Sequence, residues 1–226
     1  MPDTASKDSS GAREQLIAAA EKLFAEAGID AVSLRQINVA AGQKNSSAAH
    51  YHFGSKDALI LAIYGSRMAK VNIRREAAID ALEQADDLLD IRKLVKTIIQ
   101  PIVDEIDADL SGRHYIAFMA QAMGHPQLDL EALWQQENNT GLVRLLEHLR
   151  TALPHLEGPL FGQRFGLAFE QIIHSLADRE RLRNARDQPF DASSQLFVSN
   201  LIDSIAGGMS AAVSDETKTQ LHRLNK

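Results

Sequence analysis

Residues 33–53 read SLRQINVAAGQKNSSAAHYHF, and this stretch decides the fold. Ser33 can accept from a free backbone N–H while Gln36 reaches back, a capping box that opens a helix burying Leu34, Ile37 and Ala41 and stopping at Gly42. Gln43 to Ser46 form a polar turn, and Ser47 to Phe53 read as a second short helix ended by Gly54. Helices this short are not stable alone and need bracing. The brace is predicted from about Ala12 to Ala27, where Leu16, Ala19, Ala20, Leu23, Phe24 and Ala27 make one apolar stripe before Gly28. Two short helices joined by a glycine-containing turn and braced by a third make a helix-turn-helix, whose second helix enters a DNA major groove.

The side chains suit that use. Lys44 and Lys56 lie near the two ends of the second helix. Asn45, Ser46, Ser47, His50 and Tyr51 offer hydrogen bonds, and Ala48 and Ala49 are small enough for close approach to base edges. Ser33 and Arg35 combine a helix start with a positive charge, which suits a phosphate.

Outward from this stretch the chain stays helical. Apolar residues recur every three to four positions, no segment alternates like a strand, and aromatics are 5%. The fold class read from this is all-α. Ser55 caps a long fourth helix with Leu59, Ala62, Ile63, Ala69 and Ile73 inward. Later helices are predicted over about Ile91–Ile106 (bent at Pro101), Arg113–Met123, Leu133–Leu153, Leu160–Ala177 and Ala192–Val213. The domains are a flexible tail over 1–11, a helix-turn-helix domain over 12–72 and a helical bundle over 73–226.

Charge separates the two ends. Up to Arg75 there are ten basic and seven acidic residues, and beyond it 14 and 23, so the ends carry +3 and −9 within a net −6. There are no cysteines, which removes thiolate metal sites and a cysteine nucleophile and fits a reducing compartment. The longest apolar run, Ala58–Tyr64, is far short of a membrane span, and the polar N-terminus lacks a secretory core. The expectation is a cytoplasmic protein with no membrane partner.

The stretch from Arg13 to Leu61 resembles the DNA-binding domain of the TetR family of transcriptional regulators. Leu16–Phe24 followed by Gly28, Ser33–Ile37, Ala40-Ala41-Gly42 and Tyr51–Leu59 stand in the order and spacing of that family. The resemblance implies a recognition helix at Ser47–Phe53 and phosphate contacts from Ser33, Arg35, Tyr51 and Lys56. Two departures stand out: ten residues separate Gly42 from Phe53, one more than the commonest form, and Asn38 takes the place of a small alanine. Which of His50 and Tyr51 touches phosphate stays open. The resemblance further implies a homodimer on a palindromic double-stranded DNA operator and a small-molecule effector, hence a ligand-responsive repressor and no enzyme.

Beyond the match, two helices carry apolar stripes wider than one core face needs. Phe161, Ile172, Phe197, Leu201 and Ile205 are the candidate dimer residues, a thick monomeric core being the alternative. Tyr115, Phe118, Met119, Met123, Trp134, Phe165, Phe169 and His174 are candidate pocket residues, though aromatics and methionines also fill ordinary cores. Glu170 and His174 share a helix face and read either as a surface pair or as the metal ligands of a helical enzyme. His50 and His52 point to opposite sides of their helix and cannot share an ion. Arg67, Lys70, Arg74 and Arg75 read as DNA contacts or as a solvated face. No cofactor is called for. The rival to a regulator is a ligand-binding or scaffold protein that has lost DNA binding, with the longer turn and Asn38 as its support.

Overall fold

The computed structural model describes residues 4–108, 110–125, 140–186 and 192–224. Among these residues the chain forms ten helices and no strand: α1 Thr4–Ala27, α2 Leu34–Ala40, α3 Ala48–Phe53, α4 Lys56–Gln84, α5 Ile91–Ala108, α6 Leu110–Met123, α7 Thr140–Ala152, α8 Pro159–Arg186, α9 Ala192–Ser210 and α10 Asp215–Leu224. The all-α reading holds. Several ends differ from the periodicity. Helix α1 begins at Thr4, inside the segment assigned to a tail, and α8 continues nine residues past Ala177. Helix α10 lies outside the apolar periodicity, because it buries no residue and so carries no stripe. Ser214 Oγ accepts from the Thr217 N–H at 3.3 Å, Asp215 and Glu216 occupy the first turn, and His222 and Arg223 occupy the last. The predicted helical stretch 133–139, with Trp134, lies outside the described residues.

Two compact units make up the chain. The first comprises residues 1–73, 102–139 and 173–189, the second 74–101, 140–172 and 190–226.

In the first unit α1 packs on α2, α3 and α6. Its stripe buries Leu16, Ala20 and Phe24, and Phe24 stacks on Phe118 of α6 at 6.1 Å between ring centroids. Along the same seam Gln121 donates to the Ala25 carbonyl at 3.2 Å, and His125 Nε2 meets Asp30 Oδ1 at 3.0 Å. A buried ionic knot ties four helices. The Arg67 guanidinium of α4 donates to both carboxylate oxygens of Glu21 on α1 (2.8 and 2.6 Å), to Glu105 on α5 (2.8 Å) and to the Ser111 hydroxyl on α6 (2.6 Å). These partners hold the guanidinium proton far more tightly than usual, against the opposing effect of burial. Arg67 is thus buried, and so is Arg75 in the second unit, which corrects their reading as a solvated face or DNA contacts; Lys70 is exposed and Arg74 half-buried.

In the second unit Phe161, Phe165 and Phe169 stack in succession along α8 at 6.4 and 6.1 Å, with Arg150 4.6 Å over the first ring. Arg164 donates to the Met209 carbonyl in the last turn of α9 at 3.2 Å and to that of Ala211 just past its end. Four of the five candidate dimer residues, Phe161, Ile172, Leu201 and Ile205, are buried within this unit, and Phe197 is half-buried. Among the described residues of this unit, Leu167 of α8 and Leu196 of α9 stand outside, at 72% and 70% exposure.

Candidate nucleic-acid interface

The capping box forms as the sequence predicts. Ser33 Oγ accepts from the Gln36 N–H at 3.3 Å, and the Ser33 N–H donates to Gln36 Oε1 at 2.8 Å. It starts α2 in register with Ile37 and Asn38 facing inward while Arg35, Gln36 and Val39 face out.

The turn is built by three residues. Gly42 adopts φ +65°, which a side chain would resist. Asn45 Oδ1 accepts from the Ser47 N–H at 2.9 Å, an Asx turn. Asn38, from beneath, donates its amide to the Ser46 carbonyl and accepts from the Ala49 N–H at 2.8 Å. Ser47, at the N-cap of α3, makes no side-chain capping bond, so the buried Asn38 side chain does that work from the preceding helix. The extra turn residue and the asparagine are two halves of one solution. Nothing in them argues for a decayed motif.

Helix α3 is divided lengthwise. Ala48 and Ala49 are buried, which corrects their assignment to the approach toward base edges; they let α3 lie close to the core. Ser47, His50, Tyr51 and Gly54 form the exposed face at i, i+3, i+4 and i+7, and Tyr51 is 82% exposed. His52 is half-buried on the other side, its ring 5.3 Å from that of Tyr51. Lys44, Asn45, Ser46, Ser33 and Arg35 are exposed. Lys56 is half-buried at the start of α4, with Nζ 5.9 Å over the Phe24 ring. Sequence reasoning missed Val39, 74% exposed one turn after Arg35, because an apolar residue inside a short helix reads as core.

The described candidate pocket residues divide between the two units. Tyr115, Phe118 and Met119 are buried in the first unit, Met123 is half-buried there, and Phe165 and Phe169 belong to the buried aromatic column of the second. Tyr115 lies under the Arg67 guanidinium at 5.7 Å, and Phe118 backs Phe24. His174 is the exception. It is exposed and lines a cleft of about 520 Å³ in the first unit, walled by α1, α6 and α8. Glu170, one turn earlier on α8, is half-buried. Among the described residues no three His, Asp or Glu side chains are grouped to hold a metal ion.

Two family models match the chain. That of bacterial regulatory proteins of the tetR family covers residues 16–63, and that of the tetracyclin repressor-like C-terminal domain covers 96–208, half of the sequence. No curated protein matches the chain by sequence. Among solved structures, it is similar to a protein from Shewanella sp. PV-4 assigned to the tetR family of transcription regulators. The two are 14% identical with a TM-score of 0.61, over 86% of this chain and 95% of the other. A protein from Mesorhizobium loti MAFF303099, assigned to the same family, is 17% identical with a TM-score of 0.51, over 89% and 96%. At such identities the two structures speak for the fold, and the family models carry the membership. The first model falls on the helix-turn-helix and the second on α5 to α9. The chain belongs to the TetR family of DNA-binding transcriptional regulators.

Proposed function

We propose that this regulator is a cytoplasmic, homodimeric, ligand-responsive repressor that reads a palindromic operator through α3 and performs no covalent chemistry. The observation that carries the reading is the division of α3. One face is clamped by Asn38 and buried through Ala48 and Ala49; the other presents Ser47, His50 and Tyr51 to solvent. A six-residue helix fixed this firmly with a polar outer face suits direct readout in a major groove. Ser33, Arg35, Lys44 and Lys56 flank it as phosphate contacts, with Tyr51 placed to reach backbone. Asn45 and Ser46 act mainly in shaping the turn, since Asn45 Oδ1 and the Ser46 carbonyl are used within it. Leu167 and Leu196, exposed on α8 and α9, support a second copy as the cover for those helices, and a two-fold dimer matches a palindrome.

The test is selection of bound sequences from a random duplex library at moderate salt, repeated with Tyr51→Ala and Lys56→Ala. A palindrome recovered by the parent chain and weakened in both variants is the expected result. Recovery of no preferred sequence would sink the reading.

A further inference from the structure

Arg13 of α1 is exposed, and its guanidinium lies 5.3 Å over the ring of Phe53, the last residue of α3. Two residues on, Gln15 accepts from the Gln43 side-chain amide in the turn at 3.0 Å. The N-terminal end of α1 thus touches the motif twice, at the turn and at the end of the recognition helix. Among the described residues no carboxylate pairs with the Arg13 guanidinium. Lys22 differs on both counts. It lies nine residues on, hence on the opposite side of α1, and it faces Glu26 at 4.0 Å.

The flank of α3 on which Arg13 stands follows from the helix period. Of the exposed face formed by Ser47, His50, Tyr51 and Gly54, His50 and Tyr51 are the two edges. Phe53 comes three residues after His50 and is half-buried beside that edge. Arg13, over the Phe53 ring, therefore stands on the His50 flank. A helix lying in a major groove has a phosphate strand along each flank. Lys44 precedes α3 and Lys56 follows it, whereas Arg13 stands beside it. Stacking keeps the guanidinium usable, because a planar group lying over a ring directs its N–H groups outward from its rim, where they match a phosphate in pairs. The space next to it is open as well. Arg13 borders a hollow of about 460 Å³ in whose lining Ala58, Ala62 and Ser66 of α4 are small, and among the described residues that lining carries no carboxylate.

We propose that Arg13 is a further DNA contact of this regulator, taking a phosphate on the His50 flank of α3 while the Phe53 ring holds its guanidinium in place. The inference rests on DNA binding through α3 and adds an anchor from a third helix, outside the two short helices of the motif. Its energetic logic is pre-organisation. A long side chain loses rotamer freedom when it grips a phosphate, and the stack on Phe53 takes up part of that loss before DNA arrives. The contact carries no sequence information and fixes the register of α3 in the groove.

The experiment is fluorescence anisotropy of the full chain on a labelled duplex of mixed sequence, over a salt series, for the parent, Arg13→Gln, Arg13→Lys and Lys22→Gln. A mixed-sequence duplex reads phosphate contacts and needs no operator. Arg13→Gln is expected to reduce the slope of log K against log salt by about 1 per bound protomer, and affinity at moderate salt about tenfold. Arg13→Lys should keep the slope, since the charge remains, and Lys22→Gln should match the parent, since that lysine faces away. Melting temperature, measured on the same samples, separates a purely structural stack. The proposal is overturned if Arg13→Gln has the parent's slope, whether or not it melts lower, or if Lys22→Gln reduces the slope as much. A parent chain that binds no duplex at low salt overturns the DNA reading and this contact together. A parent that binds, with Arg13→Gln unchanged, removes this contact alone.

Discussion

Asn38 accepts the Ala49 N–H at 2.8 Å, so the recognition helix is capped by a buried side chain of the helix before it. The same amide donates to the Ser46 carbonyl, and one residue therefore fixes both the end of the turn and the start of α3. Asn38→Ala leaves a part-buried carbonyl and a buried N–H without these bonds, which costs about 1–3 kcal/mol. For a chain of this length that lowers Tm by roughly 2–4 °C per kcal/mol. Operator affinity should fall with it, since α3 loses its orientation. An unchanged melting temperature would show that the turn holds itself.

Arg67 is the hub of the first unit. Its removal strands Glu21 and Glu105, each about 2% exposed, in an interior that charges enter only when paired. Arg67→Met is expected to cost about 3–5 kcal/mol, more than a typical core truncation of similar size. Chemical denaturation measures it. A loss under about 1 kcal/mol would mean that Lys70, 3.6 Å from Glu105, takes over the charge.

The capping box, the glycine stops and the apolar stripe of α1 were legible because each is a local signal acting within one or two turns. Asn38 was visible only as an oddity, since its partners lie eight and eleven residues on and a hydrogen bond across a turn leaves no periodicity. Arg67 reads as surface by residue type although its position falls on the apolar face of α4 with Ile60, Ile63, Tyr64 and Val71, and it is the meeting of Glu21, Glu105 and Ser111 from three other helices that lets a charge stand there. The cleft was hidden for the opposite reason: alanines at the meeting of three helices look like good helix formers, and the space they leave exists only after packing. Among the candidate pocket residues that the structure describes, His174 lines it.

Gly112 is where α5 hands over to α6. A Cβ there would fall on the carbonyl oxygens of Glu105 and Ile106, which are backbone and cannot swing aside. Gly112→Ala should therefore displace the start of α6 and with it Ser111 from Arg67. The expected cost is about 1–3 kcal/mol, that of overpacking. Stabilisation, the usual result of Gly→Ala on a helix, would refute the close approach.

His125 and Asp30 give a pH dependence with a definite sign. The hydrogen bond from His125, chiefly, holds the Asp30 carboxyl below its ordinary value against desolvation, with the charges of His125 and Lys56 as smaller aids. A carboxyl lowered on folding adds stability above its unfolded value near 3.8, and that contribution disappears as pH falls through the lower folded value. Asp30→Asn should melt below the parent at pH 5–6 and converge on it at about pH 2–3. Melting curves that stay parallel over this range would exclude the contribution.

Lys56 has one contact within the fold and a second, proposed one on DNA, and the two are separable. Its ammonium lies 5.9 Å over the Phe24 ring, a contact worth about 0.5–1 kcal/mol of stability. Under the proposed reading it also contacts phosphate, and it would then set part of the salt dependence of DNA binding. Lys56→Ala should lower affinity evenly across sequences and reduce the slope of log K against log salt by about 1. Lys56→Arg should restore the slope. A change in sequence preference with an unaltered slope would place Lys56 away from the phosphates and on the bases.

Leu167 and Leu196 are exposed within the protomer, so charged replacements there spare its core. If α8 and α9 meet a second copy, burying each leucine contributes about 1.5–3 kcal/mol, and a glutamate in its place adds the cost of taking a charge out of water. Leu167→Glu and Leu196→Glu should each weaken self-association at least about tenfold while leaving Tm at low concentration unchanged. Sedimentation velocity across a concentration series reads this directly. Phe161→Ala is the contrasting variant: that ring is buried, and its loss should lower Tm by the cost of a cavity, about 3–5 kcal/mol, whatever the oligomeric state. Dimers that survive both glutamates would show that the second copy binds through another face.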